Sequence, residues 1–371
     1  MAKLDTFVCT TCGKSYPIGT RDWRCACGGF FELGVRPPFD AAAIDGAQPG
    51  LWRYRMLLPL DPDWVPVTLG EGNTPLVEID WEGRSVQLKL EYQSPTGSFK
   101  DRGAALLITA LHGLGIQRVV EDSSGNAGAS LAGYAARAGI TCEVCVPASA
   151  AGPKLAQMEA YGAEVIVIKG RREYAALAAW AAAAHGAYYA SHVYSPFFLA
   201  GIETLAYELW EQLGHRAPDA IVLPVGNGTL LLGIHRGFQR LHQAGLIAGQ
   251  PRLLAVQAAA CTPIYQAFRN GREAIEPAPT APTVASGIAI GQPARAGQIL
   301  SAVRSTDGAV FSVTEKEILE TCNQLARCGF YAEETSAVPM AALRQLESAL
   351  SAGELVAVPL TGHGLKTRRS Q

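Results

Sequence analysis

From Arg118 onward the chain alternates short apolar runs with longer segments of helical period, and that alternation restricts the fold more than any other feature. Arg118 to Glu121, Thr141 to Val146, Glu164 to Ile168 and Tyr188 to Ala190 read as buried strands, separated by helices over Gly128 to Ala138, Gly152 to Tyr161 and Glu173 to His185. A second series follows: helix Ile202 to Leu213, strand Ala220 to Val225, helix Leu230 to Ala244 and strand Arg252 to Gln257. Continuous apolar strands separated by helices belong in parallel sheets covered on both faces, the α/β class. Thr314 to Cys328 reads as a helix capped by Thr314, with Glu315 and Glu317 in its first turn. Another helix follows Glu333, and Leu355 to Leu360 is the last buried strand. Before the alternation, a turn at Gly70 to Pro75 leads into short strands at Leu76 to Ile79 and Val86 to Leu90. Residues 271 to 287, with Pro277, Pro279 and Pro282, read as a surface loop.

Three polar stretches interrupt this frame. Ser94-Pro95-Thr96-Gly97-Ser98-Phe99-Lys100-Asp101-Arg102-Gly103 sets one lysine between turn-forming residues and a segment that turns helical from Ala104 to Leu114. A lysine held there loses solvation, which lowers its pKa and makes the amine a nucleophile toward aldehydes. The alternative is a surface lysine beside Asp101 and Arg102, themselves read as a structural pair. Glu121-Asp122-Ser123-Ser124-Gly125-Asn126-Ala127-Gly128 runs from a strand into a helix, an anion-binding arrangement suited to a substrate carboxylate. Ala220 to Val225 likewise enters the loop Gly226-Asn227-Gly228-Thr229, whose backbone N–H groups can cradle a phosphate.

The first 34 residues read as a small separate module. Cys9-Thr10-Thr11-Cys12 and Cys25-Ala26-Cys27 offer four thiolates for a tetrahedral structural zinc, although the second knuckle has one intervening residue instead of two. The competing reading is a metal-free ribbon held by Trp23, Phe30 and Phe31. Residues 35 to 66 are rich in proline and read as an extended arm, packed by its aromatics on the body or a neighbouring subunit, or as a linker. With 371 residues and 49% hydrophobic content, the chain can bury two lobes. A net charge of -2 supplies no basic field for nucleic acid or membrane, and no apolar run reaches a membrane span. A cytoplasmic enzyme is expected, its other cysteines (Cys142, Cys145, Cys261, Cys322 and Cys328) mostly core thiols.

Taken together with Gly70-Glu71-Gly72-Asn73-Thr74-Pro75-Leu76 and Leu360-Thr361-Gly362-His363-Gly364-Leu365-Lys366, these loops resemble the pyridoxal-phosphate (PLP) enzymes of the tryptophan synthase β-subunit group. The resemblance is strongest to the threonine synthase family and spans roughly residues 66 to 366. It implies the two-lobed fold type II, with residues 67 to 110 and 202 to 371 in a large α/β lobe and 111 to 201 in a small one. It also implies that Lys100 carries PLP and shuttles protons, and that Gly226, Asn227, Gly228 and Thr229 bind its 5′-phosphate. By the same resemblance, Asn126 meets its 3-hydroxyl, Thr361 faces its ring nitrogen, and Ser123, Ser124 and Gly125 take the substrate carboxylate. His363 is read as shaping a turn, Glu333 as touching the substrate side of the cleft. A homodimer is usual for the fold.

The chain departs from the threonine synthase pattern in one place. Phe198 stands where an arginine grips the substrate phosphate, Ser195 where an asparagine stands, and Ala200 where an acidic residue stands. An aromatic ring cannot replace a bidentate cation. Either Lys154, Arg102 or His192 grips a phosphate instead, or Phe198 faces a less charged substrate. The expected activity is a carbon–oxygen lyase of threonine synthase type, acting on O-phosphohomoserine or a related amino acid. The alternatives are β-replacement, or dehydratase or ammonia-lyase chemistry on a serine-, phosphoserine- or threonine-like substrate, and a PLP-binding relative without turnover.

Overall fold

The computed structural model describes residues 6–34, 36–150, 152–170, 173–276, 281–346, 349–351 and 353–367. The chain begins with β1 (Thr6–Cys9), β2 (Ser15–Pro17) and β3 (Phe31–Leu33), an antiparallel sheet in the order β2-β1-β3. Then come β4 (Leu76–Trp81), β5 (Arg84–Lys89), α1 (Lys100–Gly113), β6 (Arg118–Glu121), α2 (Asn126–Ala138), β7 (Thr141–Pro147) and α3 (Pro153–Ala160). These are followed by β8 (Glu164–Ile168), α4 (Glu173–Ala184), β9 (Tyr188–Tyr189), α5 (Pro196–Gln212), β10 (Ala220–Pro224), α6 (Thr229–Gln243) and β11 (Arg252–Ala258). The chain closes with α7 (Pro263–Arg269), α8 (Ala296–Ser305), β12 (Ala309–Val313), α9 (Glu315–Arg327), α10 (Glu334–Ala342) and β13 (Val356–Pro359).

Two larger sheets carry the body. One is a four-stranded parallel sheet in the order β8-β7-β6-β9. The other has six strands, β12-β11-β10-β13-β5-β4, parallel except for the edge strand β4, which forms an antiparallel hairpin with β5. That hairpin makes the large sheet mixed, because a turn at Glu82 and Gly83, both with positive φ, returns the chain directly instead of through a helix. Helices α1, α5 and α6 pack in series, and α2 lies on α1. Their apolar faces form one continuous core with β10 and β11, while α9 and α10 cover the opposite face of the large sheet with a second core.

Several elements differ from the sequence reading for local reasons. The helix expected from Ile202 begins at Pro196, with Ser195 as its N-cap accepting the Phe198 N–H at 3.4 Å. Helices α1, α2 and α6 likewise start at Lys100, Asn126 and Thr229, earlier than their apolar patterns. On α9, Thr314 and Glu317 form a reciprocal capping box.

The N-terminal sheet leans on the body. Phe7 packs edge-on against Phe197 at 5.6 Å, Trp23 stacks on Trp180 at 5.0 Å, and Arg236 donates to Glu32 at 2.6 Å. Of the three aromatics expected inside the ribbon, only Phe31 packs there, against Phe7 and Tyr16. Trp23 and Phe30 instead face the body, Phe30 against Tyr194 and beneath Arg295. The proline-rich arm contains a single-turn 3₁₀ helix at Ala41–Ala43 and a longer one at Gly50–Leu57, and buries Phe39, Trp52 and Tyr54 against the body. Trp52 donates its indole N–H to Glu71 at 2.6 Å, and Arg36 pairs with Glu203 at 2.8 Å.

Candidate active site

A cavity of about 800 Å³ opens beyond the C-terminal ends of β6, β10 and β13, where ligands bind in open α/β sheets. Each strand delivers one loop: Ser123 to Ala127 after β6, Gly226 to Leu230 after β10, and Thr361 after β13. The lysine loop is tied to the last of these. Phe99 donates its N–H to the Thr361 carbonyl at 3.0 Å, and His363 donates its own to the Gly97 carbonyl at 3.0 Å. Those bonds bring residues from opposite ends of the chain to one wall.

Lys100 is the first residue of α1 and opens on the cavity, where its Nζ donates to Thr229 Oγ1 at 3.0 Å. The stem is half-buried, and protein surrounds the amine closely enough that lost solvation lowers its pKa to about 8, against the opposing pull of Glu121 and Glu333. At the N-cap of α6, Gly228 has a φ of 80°, and a Cβ there would lie 2.4 Å from Ile299. Only glycine allows this turn, which aims the first N–H groups of α6, without intrahelical acceptors, toward the cavity.

Asn126 donates Nδ2 to Glu333 Oε1 at 2.8 Å, and its buried Oδ1 has no hydrogen-bond partner. Lys154 pairs with the other carboxylate oxygen of Glu333 at 3.0 Å. Thr361 is buried, its hydroxyl 3.1 Å from that of Ser336. The structure therefore gathers Lys100, Ser123, Ser124, Gly125, Asn126, Gly226, Asn227, Gly228, Thr229 and Thr361 around one space.

Four readings are corrected. Phe198 does not line the cavity; it is buried under α1, where a Cβ on Gly103 would strike its ring at 2.6 Å, and it meets Lys100 from behind. Asp101 and Arg102 do not pair, because adjacent helical residues point apart. Asp101 accepts from Thr96 and Ser130, and burial pushes its pKa up to about 6. Arg102 is held by Glu91 at 2.7 Å and Glu208 at 2.9 Å, away from the cavity, so it cannot grip a substrate phosphate there. The expected surface loop 271 to 287 supplies Val284, Ser286 and Gly287 to the cavity wall, and Ile288 beyond it backs Gly226; its Pro277 and Pro279 lie outside the described residues. Cys142, Cys145, Cys261 and Cys322 are buried, whereas Cys328 is exposed at the end of α9.

The sequence gives no sign of a role for Ser336 or for Lys366 beyond its place in the last motif, nor of the pairing of His192 with Glu121. Lys366 donates to the Thr96 carbonyl at 2.6 Å, and burial lowers its pKa to about 8. His363 caps the final 3₁₀ turn, accepting the Leu365 N–H at 3.1 Å. In the ribbon, the four sulfurs of Cys9, Cys12, Cys25 and Cys27 lie within 4.8 Å of one another.

A low-pKa amine, a glycine loop opening a helix and an orphaned amide oxygen around a strand-end cavity have the chemistry to suit a phosphate-bearing aldehyde. The family model described as pyridoxal-phosphate dependent enzyme matches residues 67–362, and the chain belongs to that family. Within it the chain is threonine synthase-like. It is 36% identical over 372 residues to a threonine synthase of Methanocaldococcus jannaschii, covering 96% of this chain and 92% of the relative. A threonine synthase of Mycobacterium tuberculosis is 37% identical over 322 residues, covering 84% of this chain and 87% of the relative. Among solved structures, a threonine deaminase from T.th. superposes with a TM-score of 0.68 at 28% identity, covering 80% of this chain and 94% of its own. The processed form of threonine deaminase isoform 2 from Solanum lycopersicum reaches 0.69 at 19% identity over 90% of this chain and 93% of its own, a likeness of fold alone.

The Lys100 shift has a pH signature. The amine stays protonated up to about 8 in the folded protein but up to its ordinary 10.5 when unfolded. Between those values the unfolded state binds more protons, so stability rises with pH. The cofactor-free protein is expected to gain melting temperature relative to its Lys100→Met variant as pH rises above 8. A difference independent of pH would show the ammonium to be fully solvated.

Proposed function

We propose that the chain catalyses PLP-dependent elimination and replacement on an amino acid, of threonine synthase type, with carbon–oxygen lyase chemistry. The observation that carries this reading is Lys100, a low-pKa amine placed between the carboxylate-type loop of α2 and the phosphate-type loop of α6. The residues fit the cofactor: Lys100 would hold it covalently, with Gly226, Asn227, Gly228 and Thr229 on its phosphate. Asn126 would meet its hydroxyl side and Thr361, steadied by Ser336, its ring nitrogen. The bound cofactor supplies an electron sink for charge developing at the substrate α-carbon. Ser123, Ser124 and Gly125 would orient the substrate carboxylate, and Lys100 would carry the α-proton.

The substrate has two readings. O-phosphohomoserine fits the threonine synthase relatives, with Lys154 as a cation at the cavity wall in place of the missing arginine. A hydroxy amino acid such as L-threonine fits the loss of that arginine and the likeness to a threonine deaminase. Incubating holoenzyme with each compound separates them: phosphate and threonine from the first, or a 2-oxo acid and ammonia from the second. Neither product at high enzyme concentration would reject both. A homodimer, checked by sedimentation, belongs to the same reading.

The four ribbon cysteines fit a structural zinc. The Cys9–Cys27 and Cys12–Cys25 sulfurs are 3.5 and 3.6 Å apart, close to the ~3.8 Å edge of a tetrahedron with Zn–S bonds of about 2.3 Å. Purified protein is expected to carry about one zinc per chain, and chelation to change Trp23 fluorescence, since Trp23 is stacked on Trp180. Metal-free protein with unchanged fluorescence and melting would favour a ribbon held by packing.

A further inference from the structure

We propose that His192, oriented by Glu121, is a second proton-transfer residue of this site and handles the oxygen on the substrate β-carbon; the inference rests on the proposed elimination and replacement chemistry. His192 lines the cavity with Lys100, and both meet the same phenyl ring. The imidazole stands edge-on to Phe198 at 5.9 Å, and Lys100 Nζ lies 5.7 Å from that ring. His192 Nδ1 is 2.8 Å from Glu121 Oε1, and Glu121 is only 1% exposed at the end of β6.

A carboxylate accepts and cannot donate, so this contact places the proton on Nδ1 and makes Nε2 the nitrogen that exchanges protons in the neutral ring. A carboxylate-oriented imidazole is a general acid–base device. The pair is not needed to fix its loop, which has other ties. Ser195 donates its N–H to the Ser191 carbonyl at 3.0 Å, Ala190 to the Val120 carbonyl at 2.9 Å, and Arg295 Nε to the Val193 carbonyl at 2.6 Å.

The chemistry has a use for such a group under either substrate reading. Lys100 serves the α-carbon, but adding water at Cβ means removing a water proton, and losing a β-hydroxyl means supplying one. These are one step in opposite directions. In addition, a water O–H bond breaks, its proton passes to Nε2 and the oxygen forms the Cβ–O bond as the Cα–Cβ π pair moves to Cα, which then takes the proton carried by Lys100. In elimination the pair left at Cα by proton removal forms the Cα–Cβ π bond, and the Cβ–O bond breaks with its electron pair on oxygen, which takes the proton from Nε2 and leaves as water.

The test compares two exchanges in L-threonine bound to the holoenzyme. Loss of the α-proton signal in deuterium oxide reports on Lys100, and loss or isotopic exchange of the β-oxygen in ¹⁸O-water reports on His192. His192→Gln is expected to keep α-proton exchange within about threefold and to slow the β-oxygen process by about 10²–10⁴-fold. Added imidazole should restore part of that rate in His192→Ala. In cofactor-free protein, the ¹⁵N resonance of a protonated Nδ1 should shift in Glu121→Gln. A parallel fall of both exchanges in His192→Gln without imidazole rescue in His192→Ala, or no change in either exchange, would overturn the assignment. Absence of α-proton exchange in the parent protein would overturn the underlying reading with it.

Discussion

Lys100→Ala is expected to yield a folded protein with no visible band from lysine-bound cofactor and with turnover reduced by about 10⁴-fold or more. The size follows from position. Lys100 is the one lysine at the start of α1 whose Nζ reaches Thr229 on the phosphate-type loop, and its amine is lowered to about 8 by burial. Lys154 and Lys366 also line the cavity, but Lys154 is paired with Glu333 and Lys366 with the Thr96 carbonyl. Neither can take over without breaking those contacts. The absorption spectrum and product formation are the checks; a variant that keeps both would move the covalent attachment elsewhere. Loss of turnover also separates an enzyme from a binding relative without chemistry.

Arg102→Leu is expected to lower stability by about 3–5 kcal/mol, because removing one partner leaves buried charge uncompensated. Arg102, Glu91 and Lys89 are fully buried, and Glu208 nearly so. Arg102 donates to Glu91 and Glu208, while Lys89 donates to Glu208, the Thr74 carbonyl and Gln212. Burial alone would raise the Glu208 pKa, but Arg102 and Lys89 hold it well below the carboxylate range. For a chain of 371 residues the loss corresponds to a fall of about 4–6 °C in melting temperature. Calorimetry on Arg102→Leu checks it, and Arg102→Leu with Glu208→Leu should recover part of the loss. A fall below about 1 °C would mean that water reaches the cluster.

The site was legible where chemistry depends on backbone geometry. Gly228 must adopt a left-handed φ against Ile299, so the loop ahead of α6 is written as glycine, and the loop around Lys100 follows the same logic. Contacts made by long side chains across distant segments were not. Glu208 lies 106 residues from Arg102, and His192 lies 71 from Glu121, separations that no local period reports. The neighbouring positions of Asp101 and Arg102 suggested a pair that helical geometry forbids. Ser195-Pro196 was readable as a helix start, cap followed by proline, but its alignment with a substrate-binding motif masked that simpler signal. The wall at 284 to 290 was hidden because prolines mark a loop without saying what the loop covers.

The chemistry of Lys100 is tested most directly by the visible spectrum of the holoenzyme, titrated in turn with O-phospho-L-homoserine and L-threonine while products are followed. A band that is absent in Lys100→Ala is expected, with a spectral change on adding at least one of the two amino acids and release of phosphate or a 2-oxo acid in step with it. A protein that takes up no cofactor, or whose band neither compound disturbs, would contradict that chemistry.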